Sequence, residues 1–399
     1  NVPSVKTQFA KFYDSLFVEE IEEYNENFVI NELGISNNTY FYSKLSEENK
    51  KIYTSIANGI KNLKTSFVLQ DYTIIDNDTT MKDVEKSMEA FFLDHPEVFY
   101  VENEYTVSTK HTLFNDYTEL ALKYTVSGHN DLENKIAEIK NEMNTYLDGV
   151  KDKSGVDAEI ALHDMLGKDL TYYEYSDLDS VPQECHTIYG ALVKKEAVCD
   201  GFAKALQVLL DRKNIQNIIV LGSLEKESHA WNLINLEDSW YHVDLTSNKS
   251  IKEIDKSIVL HTYLNVTTSQ IEKTHVIDNK EDIPEAKETK YNYFAYTGKN
   301  ITVADNFNIK LKQILDKNTD SLIAEFGTPN ISSVPEKVVD FLSRNRYNEY
   351  ISNNKIIYYS LMDSYNQYEI QQKFDSNKSE KLNEFKERLK QFEKIDTLE

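Results

Sequence analysis

Three side chains in this 399-residue sequence have the types and surroundings that thiol chemistry at a carbonyl carbon requires: Cys199, His229 and Asp244. Within "GALVKKEAVCDGFAKALQVLLDRKNI", residues Phe202, Ala205, Leu206, Leu209 and Leu210 recur at helical spacing from just after Cys199, which puts the cysteine at a helix N-terminus. Unpaired backbone N–H groups and the positive end of the helix dipole there favour thiolate, the attacking form of the side chain. Gly201 permits close backbone approach, and Asp200 is a mild opposing charge. The plain alternative is that Cys199 is a small buried hydrophobe at a helix start.

Downstream, "HAWNLINL" and "SWYHVDLT" alternate and are separated by the turn-forming "EDS", the pattern of a β-hairpin. A loop centred between Leu236 and Glu237 opposes His229 to Asp244, Trp231 to His242 and Leu233 to Trp240. Directly opposed residues share a face, which is where a carboxylate must lie to orient an imidazole. Asp244 stands in an apolar context that makes a lone charge costly, and His229 offers it a partner. Gln183, Tyr189 and Trp231 are candidates for an extra oxyanion donor or for a cleft wall, with packing as the plain reading. Cys185 and His186 are adjacent in sequence, so they point in different directions and are read as structural.

These blocks closely resemble the core of the transglutaminase-like superfamily in its bacterial surface and secreted form: "YGALVKKEAVCDGFAKALQVLL", then "HAWNLINLEDSWYHVDLT", in the order Cys, His, Asp. The resemblance implies a papain-like α+β core, with a helix bearing Cys199 against a sheet bearing His229 and Asp244. It also implies their roles: nucleophile, base then acid, and orienter. It covers about residues 157–264, with weaker echoes in "LDHPEVFYV" and "KYNYFAYTG"; Ser247 stands where many members carry tryptophan. The expected activity is cysteine-dependent acyl transfer, as peptidase or amidase, with a cross-linking transglutaminase and a non-catalytic binding module as alternatives. The resemblance to surface proteins points to an extracellular or cell-surface location and to a polypeptide or cell-wall peptide substrate.

The elements that must position these groups follow from periodicity and composition. The length suggests more than one unit, read as a mixed helical and strand region over 1–150, the core over 151–275 and an α+β extension over 276–399. Helices are expected within Phe9 to Lys64, with Ile52, Ile56, Ile60 and Leu63 on one stripe, and from about Met81 to Leu93. "EVFYVENEYTVS" and "TELALKYTVS" read as strands, and Ile136, Ile139, Met143 and Leu147 mark an amphipathic helix. Beyond the core come a Pro-containing connector, a helix over Asp305 to Asp316, strand-like "NKIIYYSLMDSYNQYEI" and a charged final helix.

Lys and Arg number 44 against 67 Asp and Glu, a net charge of −23 that argues against a nucleic-acid partner. No apolar run reaches the roughly 20 residues of a membrane span. Surface anchoring through a segment upstream of Asn1 is the remaining membrane possibility. Two cysteines rule out a disulfide framework of the small secreted type. His163 and His261 lack metal-ligand spacing, HExxH and a glycine-rich phosphate loop are missing, and no metal or cofactor is expected.

Overall fold

The computed structural model describes residues 33, 39–70, 72, 74, 76–111, 116–176, 180–248, 259–301 and 304–317, and the backbone of 321–326, 356–361 and 369–373. The charged final helix and most of the expected helical lead-in before Tyr40 lie outside these residues. Among the described residues no helix is long and apolar enough to cross a membrane. The chain divides into two compact units, one of residues 1–162, 169–219 and 280–283, the other of 163–168, 220–279 and 284–399.

In the first unit, helix α1 (Glu47–Lys61) starts where Ser46 accepts the Asn49 N–H, and α2 (Asn77–Asp94) where Asp76 accepts that of Thr79. Ile52, Ile56 and Ile60 are buried as their spacing predicts; Leu63 lies past the helix end with a left-handed backbone. Strand β1 (Ser66–Val68) pairs antiparallel with β3 (Asp116–Tyr124), which pairs antiparallel with β2 (Val101–His111). Helix α3 (His129–Gly149) buries Leu132, Ile136, Ile139, Met143 and Tyr146. Tyr146, rather than the expected Leu147, completes that stripe because the register advances by three and four residues in turn. Helix α4 spans Gly155–Asp169, and β4 (Thr171–Tyr172) pairs parallel with β5 (Glu196–Ala197). Helix α5 (Cys199–Arg212) buries Phe202, Ala205, Leu206, Leu209 and Leu210. Burying each of the larger side chains contributes roughly 1.5–3 kcal/mol, enough to fix the rotation of the helix and with it the direction of Cys199.

Five strands form one antiparallel-rich sheet in the order β10, β6, β7, β8, β9: β6 (Asn217–Leu224), β7 (Glu227–Leu236), β8 (Ser239–Val243), β9 (Leu264–Val266) and β10 (His275–Ile277). Two-residue turns close β6 to β7 at Glu225–Lys226 and β7 to β8 at Glu237–Asp238, all four residues having positive φ. That is the backbone of the hairpin turns whose twist matches the strands.

The second turn corrects the expected register. It is centred one residue later than a loop between Leu236 and Glu237, so Leu233 faces His242 and Asn235 faces Trp240. Every pairing moves by two residues, which preserves the face of each side chain because the strand repeat is two. His229 and Asp244 are therefore diagonal rather than directly opposed, and still on one face. The expected alternation of buried and exposed residues is replaced by continuous burial from His229 to Ile234, since β7 is the middle strand of five.

Beyond the sheet come the one-turn helices α6 (Thr268–Ile271) and α7 (Tyr293–Tyr296), then α8 (Phe307–Lys317). A four-stranded sheet follows in the order β11 (Asn300–Ile301), β12 (Ser321–Phe326), β13 (Ile356–Leu361), β14 (Glu369–Lys373), parallel except for its last pair.

Candidate active site

Cys199 opens α5, half-buried and not in a disulfide. Its N-cap is Val198, which makes no side-chain cap, so the positive end of the helix is presented at the sulfur without a competing side-chain acceptor at that position. Gly201 packs against the Cys185 carbonyl and the Ala197 side chain, where a Cβ would clash, and the Val198 N–H donates to the same carbonyl at 3.0 Å. Cys185 thus braces the helix entry. Its own thiol is pushed up to about 11 by burial and by Glu196, Glu184 and Asp200.

The Asp200 carboxylate, next to Cys199, contacts His186 Nδ1 at 3.0 Å and Lys204 Nζ at 3.4 Å. Burial alone would raise it, but Lys204 and His186 hold it below the usual carboxylate range. The opposing charge read from the sequence is therefore offset locally. Burial raises the Tyr172 hydroxyl, and Tyr175 and then Cys199 add to the shift, so the Cys199 sulfur has a phenol as an electrostatic neighbour. Nothing in the sequence singles out Tyr172.

In the second unit, His229 begins the buried run of β7 and Asp244 directly follows β8. His229 Nε2 lies 2.9 Å from Asp244 Oδ2, with the imidazole 8% exposed and the carboxylate 0%. Burial would raise the Asp244 carboxyl; His229 and His275 outweigh it and hold the group well below its ordinary value. An ionised carboxylate only accepts, so Nε2 carries the proton and Nδ1 is the basic nitrogen of a neutral His229.

Two further donors on Asp244 escaped sequence reasoning. His275 Nε2 approaches the same Oδ2 at 3.0 Å, and Ser247 donates through its backbone N–H to Oδ1 at 3.1 Å and through its hydroxyl to Oδ2. Ser247, which stands where the sequence resemblance implies tryptophan, thus caps the carboxylate. A histidine leading the apolar "HVI" of an edge strand was the available signal for His275.

Trp231 is buried, stacked on His229 with centroids 5.9 Å apart, and its indole N–H donates to His242 Nδ1 at 3.0 Å. That N–H is committed, so Trp231 is a packing partner of the imidazole rather than an oxyanion donor. His242 Nε2 meets Thr268 Oγ1 at 3.0 Å, and burial followed by the neighbouring His275 lowers His242 to about 3, keeping it neutral as the acceptor for Trp231. Gln183 donates to the Val101 carbonyl and Asn103, and the Tyr189 hydroxyl donates to Glu138 while its ring stacks on Phe99. Both match the packing reading rather than the oxyanion one.

No protein-family profile and no curated relative matches the chain. Solved structures similar to it include a TGase, at 12% identity and TM-score 0.27, covering 47% of this chain and 52% of that one. A second is a candidate cysteine protease from Cytophaga hutchinsonii, at 13% and 0.23, covering 36% and 61%. A third is the periplasmic domain of TgpA from Pseudomonas aeruginosa, at 13% and 0.22, covering 33% and 54%. The fold is α+β, helices with antiparallel-rich and mixed sheets. This chain spans between about half and three-fifths of their lengths. The likeness is one of fold alone.

Proposed function

We propose that the chain is a cysteine-dependent acyl-transfer enzyme acting on an amide, with hydrolysis of a protein or cell-wall peptide as its reaction. The observation that carries this reading is the fully buried Asp244 carboxylate bonded to His229 Nε2, which leaves Nδ1 as the basic nitrogen. In the proposed cycle His229 takes the Cys199 proton and the sulfur attacks the carbonyl carbon. A backbone N–H at the start of α5 meets the oxyanion. The C–N bond breaks as His229 returns its proton to the leaving amine, giving a thioester. Water, deprotonated by His229, then cleaves the thioester and regenerates the thiol. The working part is proposed to be residues 151–275, with 1–150 and 276–399 as flanks, and the location extracellular or at the cell surface.

The test uses the full chain with a glutamine-containing protein and a fluorescent primary amine. Fragments or ammonia without label are expected, and label incorporation would move the assignment to cross-linking. Cys199→Ala should lower turnover at least about 10³-fold with an unchanged circular dichroism spectrum. Equal turnover in Cys199→Ala and wild type would overturn the reading.

A further inference from the structure

His275 lies outside the trio that carries the proposed chemistry, yet it takes the same carboxylate oxygen. Its Nε2 is 3.0 Å from Asp244 Oδ2, against 2.9 Å for His229 Nε2. Its own placement is set from several sides. β10 pairs His275 with Leu224, Thr274 Oγ1 lies 2.8 Å from Nδ1, and Trp231 and Tyr263 meet the ring edge-on with centroids at 5.0 and 5.1 Å. Among the described residues, the titratable groups around the pair are His242 on β8, Tyr263 before β9, Asp244 and His229. Asp244 is the carboxylate that both imidazoles contact.

We propose that His275 is a positioning residue that, by sharing Asp244 Oδ2 with His229, sets how readily His229 takes a second proton; this rests on the acyl-transfer reading above. Each N–H donated to an oxygen draws negative charge from it, so the carboxylate supports a His229 imidazolium less strongly while His275 is bonded to it. The arrangement keeps His229 neutral, and so able to accept the thiol proton, to lower pH than an unshared carboxylate would. A cross-link that merely held the sheet together would leave His229 titration unchanged.

The experiment follows the His229 imidazole by ¹⁵N NMR across a pH titration of the full chain, alongside the pH profile of kcat/KM. In His275→Phe the His229 midpoint should rise by about 0.5–1 pH unit, with the acid limb of kcat/KM moving up in parallel. His275→Gln, whose amide N–H reaches the place of Nε2, should restore the wild-type midpoint. If His275→Phe fails to fold, His275→Asn, too short to reach Oδ2, should show the same rise. An unchanged or lowered midpoint in whichever of His275→Phe and His275→Asn folds overturns the proposal. Because the NMR arm needs no turnover, a chain without activity would sink the acyl-transfer reading and still decide this one.

Discussion

Among the described residues the second unit holds two clusters of the same composition, the buried His229–Asp244–His275 and the partly exposed His163–Asp164–His261, each built on one shared carboxylate oxygen. Their surroundings differ. Asp164 Oδ1 receives His163 Nδ1 at 2.9 Å and His261 Nε2 at 2.8 Å. Burial opposes the charge there too, but His261 and His163 hold Asp164 well below its usual range. Asn248 fixes the protons: its Oδ1 accepts the Tyr263 N–H, so its amide nitrogen, 3.2 Å away, faces His163 Nε2 and makes that nitrogen the acceptor. His163 Nδ1 therefore carries the proton and donates to Asp164, which removes it as a ligand for a cation without rearrangement. His261 is stacked face to face on Tyr293 with centroids 3.7 Å apart. Identical donor sets thus sit in different surroundings, and under the proposed function one is a clamp and the other handles a proton, the neighbours of each ring deciding which.

Exchange of the two aspartates is the sharpest way to break this comparison. Asp244→Asn should lower kcat about 10³-fold or more, by giving His229 the wrong proton arrangement, whereas Asp164→Asn should leave kcat within a few-fold. Asp164→Ala should instead cost roughly 1–3 kcal/mol in urea unfolding, less than a fully buried broken pair because the Asp164 side chain is 27% exposed. Comparable loss of kcat in both asparagine variants would erase the distinction.

Acid sharpens the contrast on the His229 side. His242 is lowered to about 3 when folded, by burial and then by His275, against 6.5 unfolded, so on acidification the unfolded chain takes up a proton first. Stability is retained above about pH 6.5 and lost as pH falls from there toward 3. Between pH 7 and 4.5 the loss should be on the order of 2 kcal/mol, and His242→Asn, which still offers an acceptor to Trp231, should flatten that slope in urea titrations. The depressed Asp244 and Asp164 add loss only nearer pH 4 and below. The smallest effect belongs to Ser247→Ala, which keeps the backbone N–H but removes the hydroxyl from Asp244 Oδ2. A drop in kcat of about 3- to 10-fold is expected, measured with the same substrate.

The sequence makes Cys199 at a helix start legible because α5 repeats its apolar residues at helical spacing, and the hairpin legible because β7 and β8 flank a turn signal. It misplaces the register because a two-residue turn of non-glycine residues, Glu237–Asp238, has no strong local signature. Contacts distant in sequence stay hidden for a different reason. His275 reaches Asp244 across 31 positions and His261 reaches Asp164 across 97, joined by sheet order and loop path rather than by any local pattern. Ser247 was visible only as a departure from expectation, and its geometry gives that departure a physical use.

The two tight turns of the sheet place Glu225, Lys226, Glu237 and Asp238 in left-handed backbone without a glycine among them. Left-handed conformation costs an ordinary residue roughly 1–2 kcal/mol, less for Asp. Replacing these pairs with Asn-Gly would relieve that cost without altering Cys199, His229 or Asp244. The loop tips are thus the natural starting points for hardening the protein against heat while the candidate site residues stay as they are.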